Sequence, residues 1–266
     1  MNKALLKATL KANYKLWLII LLVMLMYSSI IISMYDPNSM EGWEAILEMM
    51  PQELLKAMGF ELIEPTFLGY VSGYYYGFII IMFPMIYISI MGQRSIAKYV
   101  DNGSMSFLLA TPNTRKTIAT TQGFYMLTST IVLIAIIAMS ILMIGLTAYP
   151  DDVEFMKFFM LNVNVIGLFV CLSGIAFLAS CMFNEIGSAV GFGAGIPVGF
   201  FVINMLANAT DDLSFFRFFT VFTLFDTDLI LALKPIIYLQ MMIMYLSGFI
   251  FYALGIRIFM KKDLHI

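Results

Sequence analysis

Hydrophobic residues of this chain form long, nearly uninterrupted runs, and polar residues gather between them. Six runs are long enough to cross a bilayer, because a spanning helix needs about 20 mostly apolar residues. The runs cover residues 16–34, 69–92, 119–148, 155–183, 186–206 and 235–260. The pattern predicts an all-α membrane protein with six transmembrane helices in one transmembrane domain, residues 1–266.

Two connections add detail to this pattern. Only Asn184 and Glu185 separate the fourth run from the fifth, so these helices should form an antiparallel hairpin. Ahead of the first run, lysines recur every four residues; they are Lys3, Lys7, Lys11 and Lys15. This stripe predicts an N-terminal interfacial helix lying on an anionic membrane surface, with a simple cationic flank of the first span as the alternative.

Other segments predict short outer interfacial helices and one distortion. Residues 43–50 carry apolar side chains at helical spacing, and Pro51 can open a second short helix because proline at a first helical position loses no hydrogen bond. Residues 208–234 alternate acids with phenylalanines, which is typical of an interfacial segment. Pro84 predicts a kink within the second span.

Basic residues sort to one side of the predicted bilayer and acidic residues to the other. The first side carries Lys3, Lys7, Lys11, Lys15, Arg94, Lys98, Arg115, Lys116, Arg257, Lys261 and Lys262. The other side carries Lys56, Lys157, Arg217 and Lys234, together with all acids except Asp101, Glu185 and Asp263. Because Lys and Arg accumulate in cytoplasmic loops, both termini are predicted to be cytoplasmic.

Composition supports the membrane class and excludes several chemistries. Hydrophobic residues make up 61% of the chain and charged residues 12%, about half the charged share of soluble domains. Cys171 and Cys181 lie within one apolar run, which favours small membrane-helix residues over a disulfide or a metal pair. The apolar centres hold no ionisable side chain, which weakens proton-coupled and voltage-sensing functions.

Catalytic motifs are not found either. The single histidine, His265, is the penultimate residue and so cannot serve as a base within the bilayer. The sequence has neither an HExxH metal motif nor a GxxxxGK[ST] phosphate loop. We therefore expect no catalytic, cofactor-binding or metal residue on this chain and no nucleic-acid partner. If the protein uses ATP, another chain must bind it.

The polar loop between the second and third runs, residues 99–115, reads YVDNGSMSFLLATPNTR. It resembles the loop of type-2 ATP-binding-cassette (ABC) export permeases, in which an acid and Gly-Thr or Gly-Ser precede a short apolar helix, Ser/Thr-Pro and Arg. The acid is Asp101, where that family often has Glu. The resemblance implies that this helix couples the permease to an ATPase. The implied coupling residues are Asp101, Gly103, Ser104, Met105, Phe107, Leu108, Leu109, Pro112 and Arg115.

Physical chemistry of the loop agrees with that role. Gly103 permits a sharp turn, Ser104 is a good helix N-cap, and the apolar side chains that follow form a small knob ended by Pro112. An apolar knob on a basic loop needs either a partner groove or the membrane surface. A helix lying on lipid is the alternative.

Further stretches resemble the same family, namely the basic N-terminal helix, residues 50–59 and residues 259–264. In its small size, with no large outer domain, the chain is most similar to bacterial single-ATPase exporters of peptides, including phenol-soluble modulin exporters and antimicrobial-peptide immunity systems. The resemblance implies a permease domain over 1–266 in the bacterial plasma membrane. It also implies a dimer of permeases, expected as a homodimer, with two ABC ATPase subunits that bind ATP and Mg.

Packing and substrate complete the expectations. Glycines fall four apart on the fifth span at Gly187, Gly191, Gly195 and Gly199. Such a ridge lets helices approach closely in lipid, so it should meet a neighbouring helix, either within the chain or across a dimer. Tyr74, Tyr75, Tyr76 and Asn204 are candidates for an apolar translocation cavity with few polar groups. Such a wall suits amphipathic, membrane-active peptides, either modulin-like or antimicrobial. A multidrug or lipophilic-compound exporter, and a carrier or channel that works without an ATPase, are the alternatives.

Overall fold

The computed structural model describes residues 1–35, 50–60 and 66–264, apart from the side chain of Asp211. Within this part of the chain all regular structure is helical. Six of the helices are long and apolar enough to cross a membrane, as predicted. These spans are Lys3–Ser33, Phe67–Asp101, Arg115–Ala148, Phe155–Met182, Ile186–Ala209 and Ile236–Lys261.

The first span differs from the expectation of a separate interfacial helix. One α-helix runs from Lys3 to Ser33, capped by the Asn2 side chain, which accepts hydrogen bonds from the backbone of Ala4 and Leu5. Polar contacts explain the continuity: Gln122 of the third span donates to the hydroxyl of Thr9, which is buried. The predicted surface helix is thus the packed first part of the first span.

The second span is made of several pieces. Its α-helix Phe67–Val71 passes into the π-helix Ser72–Ile79, and the α-helix Ile80–Ser95 follows. The helix Ile80–Ser95 continues through Pro84 without interruption. The irregular part of the span is the π-helix, which ends before the proline. Short π-helical stretches often mark functional positions in membrane and soluble proteins alike.

The fourth span forms the centre of the bundle and is the most buried of the six. Its closest neighbour is the sixth span, because glycines meet at the crossing: a Cβ added to Gly248 would lie 2.6 Å from the backbone of Val170. Tyr252 of the sixth span donates to Ser173 over 2.9 Å. Close backbone approach at small residues is the usual means of helix packing in lipid.

The predicted glycine ridge of the fifth span has no neighbour within the chain, which leaves its pairing across a dimer as a prediction. The span is interrupted at Ala194, which separates the helices Ile186–Gly193 and Gly195–Ala209. A Cβ added to any of the four predicted ridge glycines would meet nothing within 4 Å. Gly193, one residue from Ala194, instead contacts Ala176 and Ala179 of the fourth span. Within the chain the packing glycine is therefore Gly193, and the predicted ridge faces outwards.

Two ends of the bundle can be told apart by their contacts. At one end, called the basic end below, Asn2 donates to Asn113 and Arg115 donates to the carbonyl of Lys262. The start of the first span, the end of the sixth span and the 96–114 loop therefore lie together. At the opposite, acidic end, Tyr149 donates to the carbonyl of Tyr35 over 2.8 Å. Burial and the nearby Asp152 carboxylate raise the pKa of Tyr35 to about 12.

Short helices cover the acidic end. In the residues that the structure describes there, they agree with the short outer helices that the sequence predicted. The helix Gln52–Met58 follows Pro51 and ends at Gly59, whose φ of 69° lies in the left-handed region. The 3₁₀-helices Asp211–Phe219 and Val221–Leu224 and the α-helix Thr227–Leu231 fill the last outer connection. The helix predicted over 43–50 falls outside the described residues, except for Met50.

The predicted hairpin of the fourth and fifth spans is confirmed. The fourth span ends at Met182 and the fifth begins at Ile186, so three residues make the turn. This turn lies at the basic end, where it approaches the loop described next.

Candidate functional site

The candidate site is the loop at the basic end between the second and third spans. Ile96 interrupts the second span, and a short helix, Ala97–Asp101, follows it. Ser180 of the fourth span accepts hydrogen bonds from the backbone of Ile96 and Ala97, at 3.2 and 2.9 Å. The start of the loop is therefore fixed to the most buried helix of the bundle.

Gly103 makes the turn that the sequence predicted. Its φ of 71° lies in the left-handed region, where a residue with a Cβ is strained. Two residues later begins the helix Met105–Ala110, called the loop helix below. The turn lets the chain reverse between the helix Ala97–Asp101 and the loop helix.

Ser104 precedes the loop helix but does not cap it as predicted. Its backbone is helical, with φ −70° and ψ −10°, whereas a capping residue has extended backbone. The hydroxyl instead bonds the side chain of Asn102 over 2.5 Å, within the turn. The competing acceptor two residues earlier, a common partner for serine in turns, explains the difference.

The loop helix has one buried and one exposed apolar side. Met105 is fully buried, while 78% of the Phe107 side chain is exposed. Leu108 and Leu109 are half-buried against the core. Phe107 is therefore the exposed apolar side chain of the predicted knob. Met105, the first residue of the helix, packs inwards and holds the helix against the bundle.

Hydrogen bonds hold the far end of the loop to both termini. The side chain of Thr114 accepts from the backbone of Thr117 and begins the third span. Arg115 donates to the Lys262 carbonyl over 2.6 Å. Pro112, between the loop helix and these anchors, is exposed. The loop helix is thus supported on both sides by fixed backbone.

Lys262 lies in a half-buried position beside these anchors. Its ammonium group donates to the carbonyl oxygen of Cys181 over 3.3 Å. Burial lowers the pKa of Lys262 to about 8. Its charge state therefore changes within the range of ordinary experiments.

Asp101 has a neighbour that the sequence reasoning did not place with it. Val100, Asp101, Asn184 and Glu185 line one cavity of about 350 Å³ at the basic end. This cavity brings the carboxylates of the loop and of the hairpin turn to the same site. Both stretches were assigned to one side of the bilayer from charge, but only the tertiary structure shows that they share a cavity.

The predicted translocation residues separate into two groups. Tyr76 and Asn204 line a polar cavity of about 80 Å³ at the acidic end, together with Arg217. Tyr74 and Tyr75 do not line it and are buried within the chain; Tyr75 donates to the carbonyl of Met24. A cavity of this size holds only a few water molecules and is too small for a peptide.

Polar groups of the core are mostly paired with one another. Tyr76 donates to Asn162 over 2.7 Å, and the Asn162 amide donates to the carbonyl of Phe158. Asn204 is an exception, because its side-chain oxygen is buried without a hydrogen-bond partner among the described residues. Buried polar groups carry a free-energy cost unless they are paired, so these residues serve packing within the chain first.

These features define a multi-pass helical membrane protein whose exposed chemistry is concentrated in one anchored loop. The family model described as ABC-2 family transporter protein matches residues 11–264, and the chain therefore belongs to that family. No curated protein and no solved structure matches the chain significantly. The chain is accordingly a membrane permease of an ABC transporter, a transport subunit that is not itself catalytic, and membership of the family implies an ABC ATPase partner.

Proposed function

We propose that this permease belongs to an exporter that moves amphipathic, membrane-active peptides out of a bacterial cell. Phenol-soluble modulin-like and antimicrobial peptides are the substrate class. The observation that carries the ATP-driven part of the proposal is the anchored loop helix with Phe107 exposed at its outer side. A large apolar side chain held outwards on a rigid support is the arrangement of an interface anchor.

The loop would transmit force because it is fixed at several points. Its start is bonded to Ser180 of the fourth span, and its end to Lys262 beyond the sixth span. When the ATPase subunits bind ATP and Mg and close, pressure on Phe107 would reach both spans through these bonds. The carboxylates of Asp101 and Glu185 beside the loop would receive basic side chains of the ATPase.

Orientation follows from the charges at the two ends. The basic end holds both termini and the loop, and we assign it to the cytoplasm, where Lys and Arg accumulate and where ATP is available. A cysteine at Ser106 should then be protected from an impermeant thiol reagent in intact cells, and one at Ser214 should react. Both native cysteines are buried and serve as an internal background. Labelling of position 106 from outside would reverse the assignment.

A second copy of the chain is part of the proposal. Gly187, Gly191 and Gly195 are exposed, and no neighbour within the chain covers them. Four-residue spacing of small residues is typical of helices that pair in lipid. The fifth spans of two copies would meet along this ridge and form a homodimer, with the translocation cavity between the copies.

Peptide export is favoured over export of polar solutes because of what the spans lack. Their centres hold no charged side chain, and Tyr76 is already hydrogen-bonded to Asn162. A sugar or nucleotide would leave several buried groups unpaired, at about 1 to 3 kcal/mol each. The apolar face of an amphipathic helix would leave no polar group unpaired there.

The test is the ATPase activity of the reconstituted complex against amphipathic helical peptides, lipophilic drugs and polar solutes. Stimulation by the helical peptides is the expected result. A scrambled peptide of the same composition, which has no apolar face, is the matched control and should stimulate much less. Stimulation by drugs alone would identify a multidrug exporter instead, and stimulation by polar solutes alone would exclude both substrate classes. Full transport without an ATPase subunit would show a carrier or channel.

A further inference from the structure

An apolar groove of about 440 Å³ lies between the first and third spans, near the basic end. Leu10, Tyr14 and Leu18 form one wall, and Phe124, Thr128 and Val132 form the other. Its volume falls within the range of ligand pockets, about 300 to 1,000 Å³. No residue of the coupling loop or of the fifth span lines it, so the groove is separate from the sites proposed above.

Hydrogen bonds join the two walls of the groove. The indole of Trp17 donates to the carbonyl of Ser129 over 2.9 Å, which ties the first span to the third. Tyr87 of the second span donates to the hydroxyl of the same serine over 2.7 Å. Three spans therefore meet at Ser129, and these bonds fix the position of the first and third spans relative to each other beside the groove.

Two lysines lie on the same face of the first span as the residues of the groove wall. Lys7, Lys11, Tyr14 and Leu18 stand at positions i, i+4, i+7 and i+11 of one helix and so share one face. Both lysines are exposed, and no acidic side chain of the described residues forms an ion pair with either. The face thus joins two free positive charges to an apolar surface.

The depth of these residues matches the layers of a bilayer. The apolar run of the first span begins at Leu16, and Lys11 lies about 8 Å before it at 1.5 Å per residue. Headgroup layers on each side of the roughly 30 Å hydrocarbon core have a similar thickness. Lys11 therefore lies at headgroup depth. Lys7 lies one turn further out, about 14 Å before Leu16, and only its long, flexible side chain can reach the headgroups. The deeper half of the groove enters the hydrocarbon.

We infer that the groove is a binding site for one anionic phospholipid. The lipid phosphate would contact Lys7 and Lys11, and an acyl chain would lie along Tyr14, Leu18 and Val132. Lysines near a membrane surface attract anionic lipids, whereas a zwitterionic lipid of the same chains offers no net charge. The apolar lining accounts for the chain and the lysine pair for the headgroup.

Native mass spectrometry of the purified full-length protein tests this site. The probes are phosphatidylglycerol and phosphatidylethanolamine with identical acyl chains. The wild-type protein should retain phosphatidylglycerol more strongly. The double variant Lys7→Gln/Lys11→Gln should lose about ten-fold or more in phosphatidylglycerol affinity and little for phosphatidylethanolamine. The matched control is Lys98→Gln/Lys261→Gln, which removes the same charge at the same end from exposed positions outside the groove. Equal losses in both double variants would overturn the site.

A second pair of variants tests the groove independently of charge. Val132→Trp places a large side chain in the groove, while Met139→Trp places it on an exposed surface deeper on the third span. The first should weaken retention of both lipids at the groove, and the second should not. Unchanged lipid retention by Val132→Trp would overturn the proposal. A change in the dimer fraction of Val132→Trp would also overturn the proposal, because the groove would then be an interface between copies of the chain.

Discussion

The guanidinium of Arg115 donates a hydrogen bond to the carbonyl oxygen of Lys262 over 2.6 Å, across 147 residues of sequence. This bond joins the first residue of the third span to the end of the sixth. The same region holds the loop helix on one side and the N-terminus on the other, through Asn2 and Asn113. The coupling loop is thus one part of a small assembly in which the two chain ends take part.

Arg115→Met should release the C-terminal end from the third span. The lost bond involves a charged donor and is partly buried, so we expect a cost of about 1 to 2 kcal/mol, at the low end for charged groups because of the partial exposure. Hydrogen exchange at Lys262 and Asp263 should become faster. The control Lys116→Met removes the neighbouring exposed charge and should leave exchange there unchanged. Unchanged exchange in Arg115→Met would show that this bond does not hold the tail.

Phe107→Asp should uncouple ATP hydrolysis from transport while the membrane helices stay folded. Truncating an anchor at an interface centre commonly costs about 2 kcal/mol or more, and a buried carboxylate adds to that cost. The assay compares ATPase activity, transport and co-purification of the ATPase. Phe218→Asp is the matched control, since Phe218 is 75% exposed at the acidic end and should tolerate the change. Normal transport by Phe107→Asp would refute docking through this residue.

Lys262 should make the stability of the protein depend on pH between about 8 and 10.5. Burial lowers the pKa of this lysine to about 8 in the folded state, so between these values the unfolded state binds more protons. Stability should therefore rise as the pH rises through that window. Thermal unfolding of the purified protein between pH 7 and pH 10 measures the effect. Lys262→Met should reduce the rise, whereas Lys261→Met, at an exposed position, should retain it.

Glycines of the fifth and sixth spans should respond to substitution in opposite ways. Gly248→Ala places a Cβ 2.6 Å from the backbone of Val170 and should destabilise the monomer, by about 1 to 3 kcal/mol for an overpacked core. A Cβ added to Gly191 meets nothing within 4 Å and the residue is exposed, so the Gly191→Leu monomer should fold normally. If the ridge forms the homodimer, Gly191→Leu should lower the dimer fraction in size-exclusion chromatography. A Gly191→Leu protein that dimerises normally would place the second copy elsewhere.

Much of the architecture was predictable because lipid leaves a helix few alternatives. A backbone in hydrocarbon must satisfy its own hydrogen bonds, so an apolar run of sufficient length becomes a helix. The bounds of the fourth span agree to within one residue, since acids and a tight turn limit it on both sides. The interfacial helix before the first span was placed incorrectly, because its buried partner, Gln122, is more than 100 residues away.

The candidate loop shows the same division. The sequence identified the turn at Gly103, since only local backbone conformation was needed, and the structure confirms a φ of 71°. It assigned Met105 and Phe107 to one knob, although helical periodicity alone does not say which side faces the protein. Burial of Met105 and exposure of Phe107 are decided by the packing of the loop against the bundle.

By itself, the sequence determined the membrane class, the number of spans, the hairpin at Asn184 and the position of the loop, because each depends on local hydrophobicity, charge or turn chemistry. The tertiary structure alone decided which glycines pack. Gly248 contacts a backbone across the bundle, and the four glycines of the regular ridge contact nothing in the chain. It also decided that Asp101 and Glu185 line the same cavity and that Lys7 and Lys11 share a helix face with a groove formed with the third span. Such pairings depend on the rotation and crossing of helices far apart in sequence, and spacing along a single helix does not record them.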